Sequence, residues 1–423
     1  MTQVSHCMQN ASAHDRMIAI DVLRGFALLG ILIMNIVSFS FPSVAYYNPF
    51  PYTVSSTIDP LIYCIGHVIA DQKFMGIFSI LFGASTLLFL QSAIRKGKKP
   101  MRLFYTRNLW LLGIGTLHFQ FIWYGDILST YAMCALILYF FKSMSARTQF
   151  MLGLTLYCIP SICNVLTFAY VVDELPSEDQ KAFIHYWHPP QEELNQEIQV
   201  YQQGSYQQQM EHRESMFSAS ARTTSGVVGQ DILGMLSLLD FFLRAFGMML
   251  VGMALFSWNI FSGTLPKSFY RSMMLYGFGI GIPLCIGGLM LLDYHDWHWK
   301  YGVLLGRVPN NLATPFIVSG YIGLIMLWSS STRLSGLKKR LQAVGQTALT
   351  CYLAESVIMS FIFYSFGLGY FGTLSRAWYL LIIPVTWAIL LILLPIWMQT
   401  FRYGPVEWAW RSVTYLQRIP IKK

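Results

Sequence analysis

Charge is what this 423-residue sequence lacks most: Asp, Glu, Lys and Arg make up 12% of it, about half the roughly 25% of a soluble domain. Cysteine is sparse too, with seven residues and no CxxC pair. That spacing excludes a disulfide scaffold and gives no metal site, and it leaves the thiols as small packing residues within apolar stretches. There is no Walker motif and no usable GxGxxG, so ATP-driven transport and dinucleotide chemistry have no footing. No polar stretch exceeds about 60 residues, too short for a separate catalytic or receptor domain of ordinary size. What the chain has in quantity is apolar residues, 55% of the total, in blocks near the ~20 residues that cross a hydrocarbon core.

The pattern predicts an all-α, polytopic transmembrane helix bundle of about ten spans, near 17–41, 61–91, 108–124, 127–141, 149–172, 232–257, 273–292, 311–329, 343–366 and 377–399. Residues 1–16 are polar and the first apolar stretch outruns a signal-peptide core, so no cleavable leader is expected. With the N-terminus inside, 20 of the 29 basic residues fall on cytoplasmic segments, from Arg16 through Arg95–Arg107 to Lys423. Six lie outside: Lys181, Arg213, Arg222, Lys300, Arg307 and Arg376. This asymmetry is the positive-inside signal. It places both termini in the cytoplasm and explains the net charge of +9 without nucleic acid.

The organisation expected is a cytoplasmic tail (1–16), a first five-helix set (17–172), an outer acidic and Gln-rich loop (173–231), a second five-helix set (232–399) and a basic cytoplasmic tail (400–423). Five spans per half would give the halves opposite orientations, as in inverted-repeat transporters, though no sequence match relates them. Within the outer loop, Leu194, Ile198 and Tyr201 recur at helical spacing. They predict either a short amphipathic helix on the membrane or over the bundle, or a solvated insertion.

Ionisable groups inside spans are costly and mark cavities or partners. In the first span Asp21, Arg24 and Asn35 form one polar stripe, with Arg24 and Asn35 about 20° apart around the helix and ~16 Å along it. An Asp–Arg pair at the interface, or an anion site at the inner end, would each explain it. His67 and Asp71 stand at i, i+4, spaced for a carboxylate to fix an imidazole tautomer, with Lys73 beside them; a buried packing cluster is the other reading. His118 is the most interior histidine, and Asp126 stands in the short turn after it, where it can cap the next helix. Asp240 and Arg244 are spaced for a salt bridge. Thr347, Cys351 and Glu355 share a face of the ninth span near Thr350, and Glu355 is expected to line a cavity. The basic run from Arg95 to Arg107 serves topology and lipid headgroups, or else Arg102 and Arg107 meet a donor's phosphates.

Several stretches, in order, resemble the YeiB family of bacterial inner-membrane proteins, whose C-terminal half is a domain of unknown function. They are Arg16 with Asp21-Val-Leu-Arg-Gly through Asn35, Lys73-Phe with Phe78-Ser-Ile-Leu-Phe-Gly83, Leu117-His118, and Gly125-Asp-Ile-Leu128 with Tyr131-Ala132. Further on come Gly345 with Leu349-Thr350 and Tyr352-Leu353, then Gly404-Pro405 with Glu407-Trp408, Trp410-Arg411 and Tyr415. The Asp-x-x-Arg-Gly…Asn pattern is also similar to that of the transmembrane acyltransferase superfamily, which includes the lysosomal heparan-alpha-glucosaminide acetyltransferase. That likeness implies transfer of an acyl group from a cytoplasmic acyl-CoA to an acceptor in or across the bilayer. One branch has a His where this chain has Asn35. The lysosomal branch has its catalytic His where this chain has Tyr46–Tyr47, so His67 and His118 are left as candidate bases.

The leading expectation is therefore acyl transfer, with acyl-CoA as co-substrate. Arg24, Asp21, Arg102 and Arg107 would gather at its phosphates. His118, or His67 with Asp71, would act as base, and Asn35 would donate to the oxyanion. Lys73, Asp126, Thr350 and Glu355 would line the cavity. The rival is a secondary transporter or exporter of a small organic solute, using Asp71, Asp126, Asp240 and Glu355, with Gly281-Ile-Pro283 breaking a helix. Membrane lipids and small molecules are the expected partners, the bacterial inner membrane the expected location, and a homo-oligomer is left open.

Overall fold

Apart from the stripe of Asp21, Arg24 and Asn35, the first helix is mostly apolar from Ile18 onward, which suits a helix packed on most sides. In the computed structural model α1 (Thr2–Ser40) is the central element, while α6, α11 and α15 below turn most of their surface outward. The structure describes residues 2–55, 57–221 and 228–423, without the side chains of 2–17 and 216–221. Arg222 lies outside the described residues, and the side chains of Cys7 and Arg16 outside the described side chains.

After α1 the chain forms α2 (Ile58–Ile69), α3 (Lys73–Arg95), α4 (Pro100–Phe121), α5 (Leu128–Leu138) and α6 (Ala146–Leu166). Three shorter helices follow: α7 (Ser177–Trp187), α8 (Gln191–Gln203) and α9 (Tyr206–Ala221). Then come α10 (Val228–Ser257), α11 (Lys267–Tyr294), α12 (Val308–Ser329), α13 (Ser335–Gln346), α14 (Ala348–Phe363), α15 (Tyr379–Thr400) and α16 (Pro405–Tyr415). Among the described residues there is no sheet, only an isolated bridge between Phe401 and Lys422.

Seven helices among the described residues are long and apolar enough to cross a membrane, eight when a bent pair counts as one span. This is fewer than the ten expected, because α4 and Leu128–Phe141 fall outside that set, the latter by its shortness. Two expected spans are also not continuous. The 61–91 segment breaks between α2 and α3, where Gln72 takes a left-handed conformation (φ 66°). The 343–366 segment breaks at Thr347, where α13 and α14 meet at 87°. Thr347 thus ends one helix, its Oγ1 donating to Ala343 O, and does not extend a common face with Cys351 and Glu355.

Small residues let the backbones close. A Cβ on Gly83 would strike Met249 O, and one on Gly252 would strike Ile80 O, so α3 and α10 cross backbone to backbone. Gly25 and Gly345 do the same for α1 and α13, against Leu341 O and Asp21 O.

Helices α7 and α8 are tied to the bundle. Trp187 is buried, its Nε1 donating to Trp297 O at 2.8 Å while Asn48 Nδ2 donates to Trp187 O. Leu194 and Tyr201 of α8 point inward. The Tyr201 ring stacks on Phe371, and its carbonyl accepts from Ser365 N.

Candidate functional site

The turn between α4 and α5 spans only residues 122–127, which forces the two helices into a hairpin and brings Asp126 back against the end of α4. One carboxylate oxygen of Asp126 accepts from Ser129 N and Ser129 Oγ, both at 2.8 Å. That is the N-terminal capping role the sequence suggested. The other oxygen lies 2.9 Å from His118 Nδ1. A carboxylate there requires the proton on Nδ1, and in the neutral imidazole Nε2 is then the nitrogen with the lone pair. Nε2 is buried and has no hydrogen-bond partner among the described residues.

Two rings wall this imidazole, Tyr352 at 5.2 Å and Trp123 at 6.4 Å between centroids. Tyr352 belongs to α14, and Glu355 stands one turn further on. Glu355 is 3% exposed, and its Oε1 also lacks a partner. Asn35 sits one turn before Phe39 on the same face of α1. Phe39 stacks on Trp123 with centroids 4.2 Å apart. Asn35 itself is half-buried, with no hydrogen bond among the described residues. The His118–Asp126 pair is thus bordered by Tyr352 of α14 and by Trp123, on which Phe39 of α1 stacks, and Asn35 and Glu355 each stand one turn along the chain from one of these bordering rings.

A second cluster forms at the α2–α3 break. His67 Nδ1 lies 3.1 Å from Asp71 Oδ2, and Asn310 Nδ2 donates to the same oxygen at 2.9 Å. Asp71 Oδ1 meets Arg307 at 3.5 Å and accepts from the Tyr46 hydroxyl at 3.3 Å. Lys73 is fully buried; its ammonium donates to His67 O and to Asn310, with Cys285 Sγ at 3.6 Å. Cys285 thus joins a polar network instead of only packing. Arg244 pairs with Asp240, as its spacing predicted, and also donates to Gln72 and Asn311. The carboxylate of Asp71 is saturated with partners, unlike the imidazole of His118.

The third group joins α1, α3 and α13 around Arg24, with Thr350 just after α13 in sequence and bonded to Glu407. Arg24 pairs with Asp21 at 2.8 Å and donates to Ser85 Oγ and Gly345 O, pinning α1, α3 and α13 together. Gln346 donates to the other Asp21 oxygen. Arg102 is exposed, and Thr350 is taken up by Glu407, whose carboxylate accepts from Leu349 N, Thr350 N and Thr350 Oγ1. Burial raises the Glu407 carboxyl above its usual range against those hydrogen bonds. Arg107 does not stand with Arg102; its guanidinium lies between the rings of Phe89 (4.8 Å) and Trp410 (4.4 Å).

Sequence reasoning gave no role to Tyr46, Asn310, Tyr352 or Arg411, and it placed Arg307 in an outer loop. The adjacent Asn310-Asn311 at the head of an apolar segment was the available signal, since two amides there need partners.

Helices of this length and composition, with ionisable groups turned inward, define a polytopic membrane protein. Residues 255–417 match the family model described as a protein of unknown function, DUF418. The chain is similar over nearly its whole length to the uncharacterized protein YxaH of Bacillus subtilis (strain 168), at 29% identity over 98% of each chain. It is similar as well to the uncharacterized protein YeiB of Escherichia coli (strain K12), at 28% identity over 95% of this chain and 96% of that one. An uncharacterized 39.9 kDa protein from the amylase 3′ region of Bacillus acidopullulyticus is 24% identical over 98% of both.

Proposed function

We propose that this chain is an integral-membrane acyltransferase of the bacterial inner membrane, with both termini cytoplasmic, that transfers an acyl group from acyl-CoA to an acceptor reached from the bilayer. The observation that carries this reading is His118, a buried imidazole held through Nδ1 by Asp126 and left with a bare Nε2. A packing histidine has its second nitrogen satisfied. A general base keeps it for the reacting proton.

In the proposed step Nε2 takes the proton of an acceptor hydroxyl or amine as that group attacks the thioester carbonyl. The C–S bond then breaks, and the CoA thiolate leaves with the proton returned by the imidazolium. Asp126, hydrogen-bonded to Nδ1, faces the imidazolium as it forms. Asn35 Nδ2 serves the oxyanion, and the unpartnered Glu355 carboxyl meets the acceptor. The His118 side chain is 1% exposed, so the reactants must part α4 from α14 to reach it. Arg24 acts on donor binding by holding α1, α3 and α13 in register.

Calorimetry with acetyl-CoA on protein in nanodiscs tests this. Saturable binding that weakens in Arg24→Ala and survives in His118→Ala is the expected result; absence of any CoA-thioester binding contradicts it.

A second reading, a solute transporter, is favoured by the interrupted helices at Gln72 and Thr347, since broken helices line midplane sites in transporters. Proton-coupled solute flux in proteoliposomes, abolished by Glu355→Gln, would choose it over acyl transfer.

A further inference from the structure

At the inner end of α4 a small cleft is lined by Phe89, Arg107, Trp410, Arg411, Thr414 and Tyr415. Among the described residues its cations have no counter-ion. Arg107 is within electrostatic reach of Arg411 and Arg24, and Arg24 is already neutralised by Asp21. Lys98 lies over the Tyr415 ring at 4.2 Å and adds a third cation at the rim. Among the described residues no carboxylate pairs with Arg107, Arg411 or Lys98. The natural partner of Arg411 would be Glu407, one turn earlier on α16. That carboxylate is turned away onto the first amides of α14.

The geometry fixes the arginine without satisfying it. Phe89 and Trp410 cover the faces of the Arg107 guanidinium, and Trp410 Nε1 donates to Arg107 O at 2.8 Å, locking α16 onto α4. Stacking leaves the in-plane N–H edges open, and neither Arg107 nor Arg411 donates a side-chain hydrogen bond to a described residue. Two guanidinium forks with free edges, an ammonium and aromatic walls suit a tetrahedral, multiply charged oxyanion on an organic group.

We propose that this cleft binds a phosphate ester, with Arg107 and Arg411 as its bidentate donors and Lys98 as a further charge. Under the acyl-transfer reading it is the docking point for the phosphorylated end of the donor, and it moves that contact from Arg102 to Arg411. An anionic phospholipid headgroup offers the same chemistry from the bilayer side. The binding itself does not depend on His118.

The full-length protein in phosphatidylcholine nanodiscs would be titrated with adenosine 3′,5′-bisphosphate, following Trp fluorescence and heat. A second arm uses nanodiscs doped with phosphatidylglycerol, with bound lipid counted by native mass spectrometry. Saturable binding in either arm, weakened at least tenfold in Arg411→Gln and largely kept in Arg411→Lys, supports the cleft and identifies its source of phosphate. Binding in neither arm, or binding unchanged in Arg411→Gln and Arg107→Gln, overturns it. Bisphosphate binding without turnover of acetyl-CoA would uphold the cleft and contradict acyl transfer.

Discussion

His118 and Asp126 are eight residues apart, on opposite sides of one short turn, and meet at 2.9 Å with the carboxylate also capping α5. The pair couples a structural duty to a chemical one. Asp126→Asn keeps a capping oxygen for Ser129 but no longer fixes the imidazole tautomer. It is expected to lower kcat with acetyl-CoA by about 10²–10⁴, the range for removing general-base function, with KM little changed. A Tm within a few degrees of the unsubstituted protein would show that the loss is chemical.

At the α2–α3 break Asp71 pairs with Arg307 and lies within electrostatic reach of Lys73, and among the described residues neither cation has another carboxylate partner. Asp71→Asn leaves Lys73 and Arg307 without their carboxylate, and breaking such a buried pair costs about 3–5 kcal/mol. Denaturation in mixed micelles should show a loss of that size. Asp71→Asn with Lys73→Met should recover part of it, since one uncompensated charge is then gone.

Glu197 reaches from α8 to accept the amide of Ser43 at 3.1 Å, and burial raises its carboxyl to about 7. A carboxyl raised in the folded state binds more protons there than when unfolded. Its contribution to stability is fully present below the ordinary value of about 4.5 and is lost as pH rises through 7. The unsubstituted protein should therefore lose thermal stability between pH 4.5 and 7 relative to Glu197→Gln, which does not titrate. Parallel Tm profiles for the two proteins would contradict this assignment.

The α3–α10 crossing is set by Gly83 and Gly252, where any Cβ would meet backbone. Gly83→Ala is expected to destabilise by about 1–3 kcal/mol, the usual penalty for overpacking. Gly113→Ala, at a position where a Cβ meets nothing, is the control and should leave the melting curve unmoved.

The apolar segments were legible because burial in lipid writes itself as continuous hydrophobic length, and Asp240–Arg244 because both partners lie on one helix. The breaks at Gln72 and Thr347 were not. Each depends on partners distant in sequence, such as Asn311 and Arg244 around Gln72 and Glu407 capping the start of α14. His118 and Asp126 were each noticed, but for separate duties. Only the tightness of the turn joins them. Arg411 stood in a stretch that carries the family likeness, but its lack of a carboxylate partner among the described residues was illegible for a similar reason: what frees it is the diversion of Glu407 to a helix about sixty residues earlier.

The most direct test of the account is affinity labelling with bromoacetyl-CoA on the full-length protein in nanodiscs, mapped by mass spectrometry. The account predicts alkylation of His118 at Nε2 with loss of bromide, blocked by excess CoA and absent in His118→Gln. Labelling confined to cysteines, or unaffected by CoA, would contradict it.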